Sequence, residues 1–111
     1  MVKKLVCLFI ILLVSLGSFP LVGLTEEIGQ GEQLFQTYCV GCHPNGNNII
    51  RRGKTLKSQA LKRYKMDSLE AITNLVTYGK NNMSAFQDRL SQPEIESVAR
   101  YVLEQAEKDW R

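Results

Sequence analysis

Two cysteines, Cys39 and Cys42, stand three positions apart, and a histidine, His43, follows the second directly. Thiols about one helical turn apart can face the same edge of a flat macrocycle and form two thioethers with it. The adjacent imidazole is then carried beneath the centre of the ring as an axial metal ligand. Cys-x-x-Cys-His is for that reason the attachment signature of a c-type haem. Other chemistries for the pair fit less well. A thioredoxin-like dithiol needs a strand before it and a βαβ unit around it, and no strand pattern is visible. A structural zinc site takes four ligands, and His43 is the only histidine. A plain Cys39–Cys42 disulfide leaves His43 without a role.

With one histidine, ligation by two histidines of one chain is excluded. The soft candidates for the far side of an iron are Met66 and Met83, Met1 being part of the leader described below. Met66 follows a short helical pattern and abuts a helix start, where a methionine usually fills core. Met83 lies in Lys80-Asn81-Asn82-Met83-Ser84, a polar loop that gives an apolar side chain little structural reason to be there. It is the better placed ligand, with core filling as the competing reading. Histidine/methionine ligation favours ferrous iron and a comparatively high potential.

Four helical patterns would position these groups. Thr25 with Glu26 and Glu27 predicts a helix start. From there Ile28, Gly31, Leu34, Phe35 and Tyr38 share one face that runs into Cys39. A glycine on that face is costly in an isolated helix and makes sense where another backbone approaches closely. Residues 44–48, Pro-Asn-Gly-Asn-Asn, are a turn, and Ile49 and Ile50 are placed to lie against the haem edge. A short helix over about 55–63 turns Leu56, Ala60 and Leu61 inward. Asp67 and Glu70 then form a cap-like pair, followed by a helix with Leu69, Ile72, Leu75 and Val76 on its apolar face and Gly79 at its end. Ser91-Gln92-Pro93-Glu94 reads as a capping box with proline in the first turn. The helix it opens carries Ile95, Val98, Ala99, Val102, Ala106 and Trp110 on one face. That face should cross the first helix near Gly31, with Phe35 and Tyr101 close by. The apolar content is thin for a self-sufficient core, so a haem would supply the missing centre and the chain without it should fold poorly.

The chain has 111 residues and a formal charge of +3, which suits one small domain. It opens Met-Val-Lys-Lys and is then apolar over residues 5–16 apart from Ser15, with Gly17, Ser18 and Pro20 after that. This predicts a secretory signal peptide over residues 1–24 and a mature domain over 25–111; an uncleaved anchor is the competing reading. Cys7 would leave with the leader. All eleven acids and twelve of the fourteen bases then remain, a charge of +1, which is not the footprint of a nucleic-acid binder. Seven cations, Arg51, Arg52, Lys54, Lys57, Lys62, Arg63 and Lys65, fall in fifteen residues without an acid. They form either a solvated face or a docking surface.

The mature chain resembles cytochrome c6, a class I c-type cytochrome of cyanobacterial and algal photosynthesis. The resemblance is carried by Gly31-Glu32-Gln33-Leu34-Phe35 before the haem motif, then Gly46-Asn47-Asn48 and Lys54-Thr55-Leu56. It continues through Met66-Asp67-Ser68, Tyr78-Gly79-Lys80-Asn81-Asn82-Met83, Ala85-Phe86 and Arg89-Leu90-Ser91, and closes over residues 101–110. It implies an all-α class I cytochrome c fold, about four helices around one covalently bound haem c, with the N- and C-terminal helices crossing. It further implies that Cys39 and Cys42 hold the haem and that His43 and Met83 ligate its iron. The expected function is a soluble one-electron carrier in the thylakoid lumen or periplasm. Its donor would resemble the cytochrome b6f complex and its acceptor photosystem I or a terminal oxidase. Ser84 stands where the family usually has proline, and Arg51-Arg52-Gly53 adds charge where members carry little, features of a divergent c6-like paralogue.

The residues suggest no enzyme: neither paired carboxylates nor a nucleophile–base pair accompanies the motif, and an iron with six ligands offers no place to a substrate. Two other readings compete. One is a haem-based ligand binder or sensor in which Met83 is displaced. The other is a cytochrome tethered to the membrane by a retained leader and serving a different partner.

Overall fold

The computed structural model describes residues 2–6 and 22–111, without the side chains of Val22 and of residues 24–28. Most of the expected leader, with Cys7 and the first part of its cleavage region, lies outside the described residues, as do the side chains of Thr25 and Ile28. Four α-helices carry the domain: α1 (Val22–Tyr38), α2 (Ser58–Arg63), α3 (Leu69–Tyr78) and α4 (Gln92–Glu107). A 3-10 turn spans Pro44–Gly46. Among the described residues there is no strand beyond one isolated bridge, Lys80 to Met83, and no helix is long and apolar enough to cross a membrane.

The fold is built on the crossing of α1 and α4. A Cβ on Gly31 would lie 2.2 Å from the carbonyl oxygen of Ser97 and 3.0 Å from Cβ of Tyr101, so the missing side chain is what lets the two backbones meet. One turn on, Phe35 is buried with its ring 5.4 Å from that of Tyr101 and 5.1 Å from that of Trp110. The other packed side of α4 takes α3. Ile72 and Val76 join Ile95, Val98, Ala99, Val102 and Ala106 in one buried cluster, which Leu61 and Phe86 complete.

Helix ends follow local chemistry, with three corrections to the sequence reading. Helix α1 is already helical at Val22, the first described residue of this stretch, and runs through Thr25, so Thr25 is not its start. The cap of α3 is Ser68, not Asp67: its hydroxyl accepts from the Ala71 amide, a bond either residue type can make and that only the entry angle of the chain decides. Helix α4 does open on the Ser91–Glu94 capping box. However, it ends at Glu107, and Trp110 is reached through two left-handed residues, Asp109 (φ 55°) and Trp110 itself (φ 57°), rather than by helical continuation. Gly79 ends α3 at φ 69°, as the sequence suggested. Two threonines unremarked in the sequence, Thr73 and Thr77, are buried on α3.

Candidate haem site

All four helices turn side chains into one cavity of about 420 Å³, within the range that holds a cofactor. Its walls are Phe35, Leu61, Ile72, Val76, Phe86, Val98 and Val102, and the Cys39-to-His43 stretch lies along one edge. The cysteines get there because α1 does not stop cleanly: amides of Cys39 and Val40 both donate to the Phe35 carbonyl, and those of Cys42 and His43 to the Cys39 carbonyl. The turn that follows folds back, with Ile49 N–H donating to the Cys42 carbonyl at 3.1 Å. Cys39 is half-buried and Cys42 exposed. Burial, with a smaller contribution from neighbouring Cys42, pushes the Cys39 thiol up to about 11. A dithiol exchange centre needs the opposite shift.

His43 is fixed by its backbone surroundings. Its Nδ1 lies 2.9 Å from the carbonyl oxygen of Asn47. A carbonyl only accepts, so Nδ1 carries the proton and Nε2 keeps the lone pair that a metal requires. Burial lowers its pKa against the opposing pull of the Asn47 carbonyl, which favours the neutral ring that can ligate.

Met83 also lines the cavity, on the loop after α3. Lys80 and Met83 exchange two backbone hydrogen bonds of 3.0 Å, closing a tight turn with Asn81 at φ 53°. Gly79 is needed beneath it, since a Cβ there would sit 2.6 Å from the Met83 carbonyl oxygen. Met66 reaches the same cavity, tied by its amide to the Leu61 carbonyl. Proximity alone therefore does not separate the two methionines. Of the two isoleucines, Ile50 lines the cavity and Ile49 does not, and both are more than half exposed. Tyr38, expected on the apolar face of α1, does line the cavity, though it is 40% exposed.

Charge at the site was only partly legible in the sequence. Arg51, Lys54, Lys80 and Arg89 line the cavity and no carboxylate does. Among the described residues none of the seven cations of the 51–65 run makes an ion pair. The ammonium group of Lys54 instead sits 5.2 Å from the centre of the Tyr64 ring. The described residues hold no cluster of three or more His, Cys, Asp or Glu side chains able to bind a bare metal ion.

The residues present suit a haem: an apolar slot, two thiols at one edge, an imidazole with a free Nε2, and thioether sulfur at the wall. Comparison with known proteins agrees. Residues 26–102 match the family described as cytochrome C oxidase, cbb3-type, subunit III. The cytochrome c6-like protein of Nostoc sp. (strain PCC 7120) is 57% identical over 97% of this chain and 96% of its own. The crystal structure of cytochrome c6C from Synechococcus sp. PCC 7002 superposes with a TM-score of 0.71 at 56% identity, over 73% of this chain and 99% of that one. Cytochrome c6 from the diatom Phaeodactylum tricornutum gives 0.73 at 46%, over 75% and 98%. With the fold and the cofactor cavity both accounted for, the chain belongs to the cytochrome c6 family, whose electron carriers hold a covalently bound haem c.

Proposed function

We propose that Cys39 and Cys42 form the thioethers to the haem, that His43 Nε2 and Met83 Sδ take the two axial positions, and that the protein carries single electrons between larger redox partners. The observation that carries this reading is one cavity holding, on its lining, an imidazole with its Nδ1 proton already committed to Asn47 and a thioether on a clasped turn. The haem supplies the one-electron ferric/ferrous couple. The chain's own residues do the rest. Phe35, Leu61, Ile72, Val76 and Phe86 keep water off the ring. His43 is held as a neutral donor, and the soft sulfur of Met83 favours the reduced state. Were His43 and Met83 both to ligate the iron, no position would be left there for a substrate, which supports electron transfer over catalysis.

Partners are read from the family: a cytochrome b6f-like donor, and photosystem I or an oxidase-like acceptor, met in the thylakoid lumen or periplasm after residues 1–24 are removed. N-terminal sequencing of the exported protein should begin between Pro20 and Glu26; recovery only as membrane-bound chain starting at Met1 would rule out the cleaved form. The ligand set is tested by two substitutions. Met83→Ala should open the sixth position, admit carbon monoxide to the reduced protein, lower the potential and abolish the weak near-infrared band of methionine-ligated ferric haem. Met66→Leu, which roughly conserves volume, should keep that band at a stability cost below about 1.5 kcal/mol. The reverse pattern would move the ligand to Met66.

A further inference from the structure

We propose that Trp110, at the far C-terminus, is a positioning residue for the His43 side of the haem; the inference rests on His43 being the axial ligand. The observations concern the loop between residues 46 and 56. Leu56 N–H donates to the Gly46 carbonyl at 2.7 Å, and the Trp110 indole Nε1–H donates to the Leu56 carbonyl at 3.1 Å. The face of the same indole lies on Gly46, where a Cβ would fall 2.5 Å from each of three ring atoms. One side chain thus spans both ends of the loop. Asn47, the neighbour of Gly46, supplies the carbonyl that accepts the His43 Nδ1 proton.

Trp110 is itself held firmly. Its amide donates to the Gln105 carbonyl at 2.8 Å, and its ring stands 5.1 Å from Phe35 and 6.0 Å from Tyr101. Two consecutive L residues at φ 55° and 57° aim it, a backbone conformation that persists only where surroundings over-determine it. The Nδ1–H bond to a carbonyl raises the basicity of a ligating imidazole and so favours the oxidised metal. Holding Gly46 and Leu56 fixed keeps that bond short. If the clamp slackens, the imidazole becomes a poorer donor and the reduced state gains.

The test uses the full holoprotein. Trp110→Phe keeps an aromatic ring and deletes the indole donor. At a fixed ambient potential near the parent midpoint, its ratio of reduced to oxidised protein should rise about threefold. Exchange of the Leu56 amide and the His43 ring proton should quicken at least tenfold by NMR. Gly46→Ala, pressing on the indole from the loop side, should move both readouts in the same direction. Leu103→Ala on α4, where the side chain is partly buried against the core, serves as the control, lowering the melting temperature while leaving both unmoved. Unchanged ratio and ring-proton exchange in Trp110→Phe would overturn the proposal. So would rapid exchange of the indole N–H in the unsubstituted protein, which needs no variant to fold. The premise fails separately: a parent spectrum without histidine ligation would remove His43 as ligand whatever the indole does.

Discussion

Replacing Gly31 with alanine tests the crossing on which the fold depends. The new Cβ would meet the Ser97 carbonyl at 2.2 Å for oxygen and 2.8 Å for carbon, with Tyr101 Cβ at 3.0 Å. These are backbone atoms and a Cβ, so no rotamer change relieves the clash, and α1 and α4 must part by about 1 Å to reach ordinary contact distances. Overpacking of this kind costs about 1–3 kcal/mol, and a backbone obstacle places it at the upper end. Against that, alanine gains about 1 kcal/mol over glycine within a helix. The net loss is about 2 kcal/mol, and a domain of this size should melt on the order of 10 °C lower. The assay is thermal unfolding of the ferric holoprotein followed by far-ultraviolet circular dichroism. Gly29→Ala is the matched control on the same helix, because a Cβ there meets nothing within 4 Å; it should be neutral or stabilising by about 1 kcal/mol. If Gly31→Ala melts as high as Gly29→Ala, the helices do not approach through Gly31 and the packing argument is wrong.

Two other outcomes follow from the charges and the cavity. Arg51→Glu with Arg52→Glu should slow electron transfer with an acidic redox protein several-fold at low ionic strength, the gap closing as salt screens the encounter; stopped-flow rates equal to the parent's at low salt would return the 51–65 run to a merely solvated face. Cys39→Ser with Cys42→Ser, which prevents attachment, should leave a chain with much of its helical circular dichroism but no fixed near-ultraviolet signal, whereas a cooperative melt near that of the holoprotein would show a core complete without its cofactor.

What could be read from sequence was what depends on neighbours in the chain. Cys39, Cys42 and His43 announce themselves by spacing, and the Ser91–Glu94 box and the Gly79 helix end by turn chemistry. Gly31 was legible for a related reason: a glycine amid apolar residues at helical spacing implies something pressed against it. The failures involve choices between equivalent groups or contacts across the chain. Asp67 and Ser68 can each cap α3, and the selection belongs to tertiary packing. Met66 and Met83 both reach the cavity, which no local pattern could reveal for Met66. Helical periodicity put Trp110 on the inner face of α4, correctly inward but for the wrong reason, since the helix ends at Glu107 and two left-handed residues bring the ring back. The contact of Trp110 with Gly46 and Leu56 spans more than fifty residues and has no local signature. The Asn47 carbonyl that receives the His43 proton is a backbone atom, invisible to any argument from side-chain types.

The magnitudes explain why so small a domain is arranged around a gap. In cores from which side chains have been cut, instability grows by about 24 cal/mol for each Å³ of void. Applied to the 420 Å³ here, that gives a cost of up to about 10 kcal/mol, an upper bound because the mouth is open and water can enter. Total stabilities of small proteins are about 5–15 kcal/mol, so what the apolar walls enclose can matter on the scale of the whole domain. Under the proposed attachment, thioethers at Cys39 and Cys42 would serve a purpose beyond keeping the haem from leaving: they would prevent the core from losing its centre. On the same proposal, the filling would remove water from between His43 and Met83, where a soft neutral ligand competes poorly with solvent. Stability and electron transfer thus make one demand of Phe35, Leu61, Ile72, Val76 and Phe86, and substitutions that loosen these walls should weaken folding and sulfur ligation together.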